Sequence, residues 1–367
     1  MAGIYVHVPF CHSKCYYCDF YSLASTSRVD AYVAALEREW EARQGELGSE
    51  PVTTLYFGGG TPSILQPELF SRLAGLFPAE DVVEFTIEVN PEDVSAAAAD
   101  EWMKAGVNRV SIGVQSLDDG ELRAVGRRHT AEKALEAINI LHRTGIANVS
   151  GDLIYGLPGQ SVESWRRSVG AILDSDITHL SAYCLSFEPG TRLYRLREKG
   201  EVFEQADEVL EQMYGVLCSE ARLAGMEHYE ISNFARAGYI SRHNSSYWDG
   251  TPYLGLGPGA HSLGADGVRR FVPSNLNRWL ANPADAFVVD EETATDRIND
   301  MILISLRTAR GLNLENFGQD VATRISQAAG PHLSAGNLVI KDRTRLVVPE
   351  SRWLLCDSVI RDLFISD

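Results

Sequence analysis

Cysteine is scarce in this chain. There are six in 367 residues, and three of them, Cys184, Cys218 and Cys356, stand singly. That sparsity excludes a disulfide framework of the kind that holds small secreted domains together. Long apolar runs are missing too: none approaches the roughly 20 residues that a helix needs to cross a bilayer. The first residues carry no basic segment followed by an apolar core and a small-residue cleavage site. The expectation is a soluble cytoplasmic protein. Positive charge is in deficit, with 33 Lys and Arg against 50 Asp and Glu and a net charge of −17. So acidic a chain lacks the clustered cations that phosphate backbones and anionic lipid surfaces require, and nucleic acid is not expected as a partner. Repeats and low-complexity tracts are also missing.

What is present is the patterning of a large α/β protein. Short β-rich segments at residues 4–8, 53–57, 82–89, 107–112, 149–155 and 178–185 are each followed by Gly, Pro or a polar cluster. Stretches with apolar residues at helical spacing lie between them, at 31–43, 68–77, 94–105, 131–144 and 162–173. This alternation implies βαβ units and a parallel sheet. Six units predict a partial (β/α)6 barrel rather than a doubly wound sheet. From about residue 201 the character changes. A helix is expected at 206–224, a strand at 226–231, and a glycine- and aromatic-rich stretch at 243–261. Helices at 296–308, 321–329 and 353–364, with short strands at 338–340 and 346–348, predict a small, mostly helical, winged-helix-like C-terminal domain. The expected divisions are a barrel core over 1–200, an extension over 201–270 and the C-terminal domain over 271–367.

The other three cysteines are concentrated. Cys11, Cys15 and Cys18 form C-x3-C-x2-C directly after the first strand. Structural zinc prefers four closed ligands from paired cysteines, and no second pair exists here; His7 and His12 complete no familiar spacing. Three thiolates suit an iron–sulfur cube with one iron left open. The run, with the aromatic Tyr17 before its last cysteine, resembles the signature of the radical S-adenosylmethionine (SAM) superfamily. That resemblance implies a [4Fe-4S] cluster on Cys11, Cys15 and Cys18, with SAM on the open iron.

Gly58-Gly59-Gly60-Thr61-Pro62 follows the second strand. Its backbone can adopt positive φ and approach a ligand closely, and its carbonyls and hydroxyl can accept from an ammonium. Single polar residues come next: Glu88 near the end of the third strand, Gln115 after the fourth, Arg127 a short helix further, and Asp152 within the fifth. In a parallel barrel the site lies at the C-terminal ends of the strands, so these segments converge on one mouth. Carboxylates suit ribose hydroxyls and Arg127 suits a carboxylate.

Tyr5-Val-His-Val-Pro-Phe-Cys11, GGGTP, Gly113-Val-Gln115 and Asp152-Leu-Ile-Tyr-Gly-Leu-Pro158 together resemble the anaerobic coproporphyrinogen III oxidase-like (HemN/HemW) group. On that pattern the SAM site carries over onto Tyr5, Tyr17, Gly59, Gly60, Thr61, Glu88, Gln115, Arg127 and Asp152. Two departures separate the chain from the oxidases. They show a fourth cysteine where Phe20 stands here, and they carry an N-terminal extension, whereas the first strand here begins at Ile4. His243-Asn244-Ser-Ser-Tyr247-Trp248 matches H-N-x-x-Y-W, which resembles the haem-binding signature of the haem-chaperone branch. The resemblance implies haem iron on His243, with Asn244, Tyr247 and Trp248 about the porphyrin; His261 is a further candidate ligand. The expected function is a haem carrier without classical turnover. It would pass haem between donor and acceptor proteins, membrane-bound respiratory enzymes included. The alternative is an oxygen-independent coproporphyrinogen III dehydrogenase, in which reductive cleavage of SAM yields a radical that drives oxidative decarboxylation of propionates.

Overall fold

In a computed structural model describing residues 1–366, six strand-then-helix units build the body of the molecule. The strands are β1 (Ala2–Val8), β2 (Val52–Gly59), β3 (Glu84–Val89), β4 (Arg109–Gln115), β5 (Asn148–Tyr155) and β6 (His179–Cys184). They pair in chain order, all parallel. The helices Val29–Arg43, Pro67–Ala74, Ala96–Lys104, Ala131–Thr144 and Val162–Leu173 fall where helical spacing predicts them. Alternation along β1 shows why. Ile4, Val6 and Val8 join the apolar core under the helices, while Gly3, Tyr5 and His7 face the opposite, concave side.

The sheet curls. The loop after β1 meets loops that follow β4 and β6: Tyr16 N–H donates to Val125 O at 3.0 Å, and Leu193 N–H donates to Tyr16 O at 2.7 Å. A flat sheet would hold these loops apart. Beyond β6 the sheet continues through antiparallel β7 (Glu227–Glu230) and β8 (Asn233–Ala235). On the other side β9 (Tyr253–Leu256) pairs parallel with β1, followed by the antiparallel β10 (His261–Leu263), β11 (Arg269–Phe271) and β12 (Val288–Val289). The result is one twelve-stranded sheet whose end strands, β12 and β7, do not pair with each other among the described residues. The partial barrel expected from the sequence is therefore present.

A buried ion pair fixes the extension to the barrel. Arg43 Nη1 donates to Glu39 Oε1 at 2.7 Å, and Glu39 Oε2 accepts from Gly257 N–H and Trp279 Nε1, each at 2.8 Å. The C-terminal region packs helices Ala294–Leu306, Gln319–Ser334 and Cys356–Leu363 with β13 (Leu312–Asn313), β14 (Val339–Lys341) and β15 (Arg345–Val347). Helices with a short antiparallel hairpin match the winged-helix-like expectation. The large sheet runs on to Val289, so residue 271 lies inside β11 rather than at a break.

The glycine- and aromatic-rich residues 243–261 contain regular structure. They open with the helix Arg242–Asp249, capped by Ser241 Oγ on Asn244 N–H at 3.3 Å and ended by Gly250 in the left-handed region. Glu84 supplies the missing determinant from across the sheet: its carboxylate accepts from the N–H groups of Arg242 and His243, each at 2.9 Å.

A candidate cofactor site at the barrel mouth

The cysteine loop leaves β1 and is tied back by Cys11 N–H to Leu23 O at 3.0 Å and Leu23 N–H to Pro9 O at 2.8 Å. Burial raises the Cys11 thiol and pushes Cys18 up to about 11, where the neighbouring Cys15 adds to the effect. The sulfurs of Cys11 and Cys15 accept side-chain donors. Thr61 Oγ1 donates to Cys11 Sγ and Arg127 Nη1 to Cys15 Sγ, each at 3.4 Å. Asn90 joins the two, donating from Nδ2 to Thr61 Oγ1 at 3.2 Å and accepting at Oδ1 from Arg127 Nη2 at 2.7 Å. Arg127 Nη2 also donates to Gly113 O at 2.6 Å, whereas its buried Nε has no partner among the described residues. One continuous network thus runs from the loop after β4, through the end of β3, to the glycine turn and the cysteines.

The glycine turn is shaped by the chain's own atoms. Gly59 has φ 104°, and a Cβ there would lie 2.6 Å from the His7 ring. A Cβ on Gly60 would lie 2.7 Å from Phe10 O. These glycines let β1 and β2 close against each other, in addition to leaving backbone free at the rim. Gly59 N–H donates to Glu88 Oε2 at 3.0 Å, and Tyr56 Oη to Glu88 Oε1 at 2.8 Å. Burial pushes Glu88 up to about 7; the Tyr56 bond opposes this and the Asp152 charge assists it. Asp152 lies inside β5 below the rim, accepting from Ser111 Oγ at 2.9 Å, and burial pushes it up to about 6. Gln115 has φ 66° at a register shift between β4 and β5, backbone strain of the kind found at ligand sites. Tyr17 packs among Val125, Ile154 and Leu157.

Tyr5 lies deeper, between rim and floor. Its hydroxyl is 3.1 Å from His7 Nδ1, while His7 Nε2 is 2.8 Å from Tyr21 O. With both nitrogens engaged, His7 is a scaffold residue. His12 faces Asp93 instead, at 3.2 Å.

The helix Arg242–Asp249 forms the floor. His243 is fully buried against the first residues of β1 and β2, at the opposite end of the strands from the cysteines. Its Nδ1 is 2.9 Å from Thr54 Oγ1 and its Nε2 is 2.9 Å from Tyr247 Oη. The ring stacks on Tyr56 at 5.0 Å between centroids. Burial pushes its pKa down to about 3, so the ring is neutral. The free imidazole face that the sequence leads one to expect is therefore not displayed: both ring nitrogens are hydrogen-bonded in this conformation. Asn244, Tyr247 and Trp248 are half-buried on the same helix. His261 stands apart on β10, exposed and stacked on Phe271 at 5.7 Å.

Sequence reasoning missed Asn90, Tyr56, Glu84 and Arg109. The alternation Glu84, Thr86, Glu88 carried a usable signal, since a period of two puts all three on the concave face. Arg109 is fully buried on that face, with Nε and Nη1 lacking partners among the described residues.

Comparison with known proteins identifies the family. The Radical SAM superfamily model matches residues 5–172. The chain is 34% identical to the heme chaperone HemW of Bacillus subtilis over 329 residues, 87% of this chain and 86% of that protein. It is 35% identical to the heme chaperone HemW of Mycobacterium tuberculosis over 374 residues, 98% of this chain and 94% of the other. The solved structure of coproporphyrinogen III oxidase (HemN) from Escherichia coli superposes with a TM-score of 0.85 at 23% identity, covering 99% of this chain and 90% of that one. That last likeness is one of fold. The cysteine loop, the network behind it and the near full-length identity lead to one assignment: the chain belongs to the HemW family of the radical SAM superfamily.

Proposed function

We propose that this chain is a cytoplasmic haem chaperone that binds haem, keeps a SAM-liganded four-iron cluster at the barrel mouth, and hands haem to acceptor proteins. The observation that carries this reading is the identity with HemW heme chaperones along 86% and 94% of their length. In the units expected from sequence, the barrel core 1–200 carries the SAM site and the extension from 201 carries the haem helix. The C-terminal unit is better begun after Val289, where the large sheet ends.

Cys11, Cys15 and Cys18 would hold the cluster, and the donors already on the first two sulfurs fit a thiolate-ligated centre, whose potential such bonds tune. When bound, the cluster supplies an open iron for SAM and the electron for its reductive cleavage. The orphaned Nε of Arg127 suits a ligand carboxylate, and Glu88 and Asp152 suit ribose hydroxyls or an ammonium. Tyr5, Tyr17, Gly59, Gly60, Thr61 and Gln115 complete the SAM site by motif. Haem falls to His243, Asn244, Tyr247 and Trp248. Iron ligation through His243 Nε2 requires the Tyr247 hydroxyl to release that nitrogen first. No helix among the described residues is long and apolar enough to cross a membrane. A membrane-bound acceptor would accordingly be approached from its surface.

The test is anaerobic. Cluster-reconstituted protein is titrated with haem, then mixed with coproporphyrinogen III, SAM and a reductant. One haem per chain and no vinyl product is the expected result. Failure to bind haem, or vinyl product over many turnovers, would move the assignment to the dehydrogenase.

A further inference from the structure

Away from the barrel mouth, Cys218, His228 and Glu350 meet where the extension touches the C-terminal region. Cys218 comes from the helix Asp207–Leu223, His228 from β7 and Glu350 from the 3₁₀ turn Glu350–Leu355. Cys218 Sγ is 3.9 Å from His228 Nδ1, and His228 Nδ1 is 3.0 Å from Glu350 Oε1. All three donor atoms lie within 4.8 Å of one another. They line a cavity of about 480 Å³ with Phe234, Trp353 and Arg222.

We propose that these three residues hold one borderline divalent cation of the zinc class, with its fourth position open to the cavity. Zinc lies about 2.3 Å from sulfur and about 2.1 Å from nitrogen or oxygen, so tetrahedral ligation sets S···N near roughly 3.6 Å and N···O near roughly 3.4 Å. The S···N and N···O separations need shift by only a few tenths of an ångström, and the sulfur and carboxylate oxygen, within 4.8 Å, would close toward each other as the ion enters. The ligand softness, one thiolate, one imidazole and one carboxylate, selects zinc over magnesium or calcium.

The surroundings orient the donors. His228 Nε2 faces Ile231 O at 3.4 Å, an acceptor for the ring proton when Nδ1 ligates an ion beside Cys218 and Glu350. Without an ion, an Nδ1–H is placed to donate to Glu350 Oε1 at 3.0 Å, and metal binding would shift that proton to Nε2. The ring is clamped between Phe234, stacked at 3.9 Å, and Trp353, edge-on at 4.1 Å. Arg222 Nη2 donates to Glu350 Oε2 at 2.7 Å, leaving Oε1 for the metal. On binding, the Cys218 proton leaves to solvent; thiolate and carboxylate balance the dication. The ion would staple the C-terminal region to the extension.

The test uses full-length protein with its four-iron cluster in place, so that the N-terminal thiols are occupied, and it is independent of haem. Co²⁺ is added and the visible ligand-field bands of four-coordinate cobalt are read at longer wavelength than the cluster absorbs. Zinc content follows by elemental analysis. One equivalent per chain is expected, together with a rise in melting temperature on adding Zn²⁺. Both signals should vanish in Cys218→Ser, and affinity should fall at least tenfold in Glu350→Gln. These are mild substitutions that spare the His228 stack. Absence of the cobalt bands in the native protein, their survival in Cys218→Ser, or unchanged affinity in Glu350→Gln would overturn the site.

Discussion

Glu88 is the residue whose chemistry is most tightly written by its surroundings. Tyr56 and the Gly59 N–H contact it, and Asp152 and Arg109 act on it from β5 and β4. Its folded pKa of about 7, and that of Asp152 at about 6, lie above the ordinary carboxylate range. Both therefore favour the folded state in their protonated form. That contribution is fully present below about pH 4 and is lost as pH rises through about 6 to 7. In the proposed SAM site, where Glu88 takes ribose hydroxyls or the ammonium, ligand binding rewards the ionised form. SAM affinity, read by anaerobic titration at pH 6, 7 and 8, is expected to weaken toward pH 6 by up to about tenfold per unit below the Glu88 pKa. Glu88→Gln should flatten that slope; a slope unchanged in the variant would show that another group titrates. Glu88 was legible in the sequence as a residue at a strand end. Its pKa was not, because Tyr56, Asp152 and Arg109 come from three other strands.

At the scale of elements, the helix Arg242–Asp249 is eight residues long, too short to persist without tertiary support. Glu84 gives it that support by placing a carboxylate on the N-terminal N–H groups, where charge and hydrogen bonding both favour it. Glu84→Ala is expected to lower stability by about 2 kcal/mol in urea unfolding, and Glu84→Gln by less, since one acceptor survives. Equal losses in the two variants would show that packing, and not capping, is what Glu84 provides. The six parallel strands and their helices were legible because hydrophobic period and glycine stops coincide along the chain. This helix was not, because beside its local Ser241 cap it leans on a carboxylate 159 positions earlier in sequence. The motif His243-Asn244-Ser-Ser-Tyr247-Trp248 was readable as a pattern, yet its helical phase decides its meaning: His243 and Tyr247 stand four apart, on one face, and bond to each other.

For the whole molecule, the proposed function gives the two ends of one barrel to two cofactors. The cysteine loop lies at the mouth, where the cluster and SAM are proposed to bind, and the helix Arg242–Asp249, proposed for haem, closes the floor, with Tyr5, Tyr56 and Glu88 between them. The buried Glu39–Arg43 pair and Trp279 hold the extension that carries this floor against the barrel. The chain's acidity argued against nucleic acid as a partner without indicating how the floor is built; that required the fold. The central claim is that His243 receives haem iron once Tyr247 lets go. The most direct measurement is a haem titration of cluster-loaded protein, following the Soret band in the native chain, Tyr247→Phe and His243→Ala. Tyr247→Phe removes the hydroxyl that competes for Nε2, so affinity should hold or rise with the Soret band of the native complex unchanged. His243→Ala should lose that band and weaken binding by at least about tenfold. Indistinguishable spectra and affinities in all three proteins would contradict the account and leave His243 as a structural residue of the barrel floor.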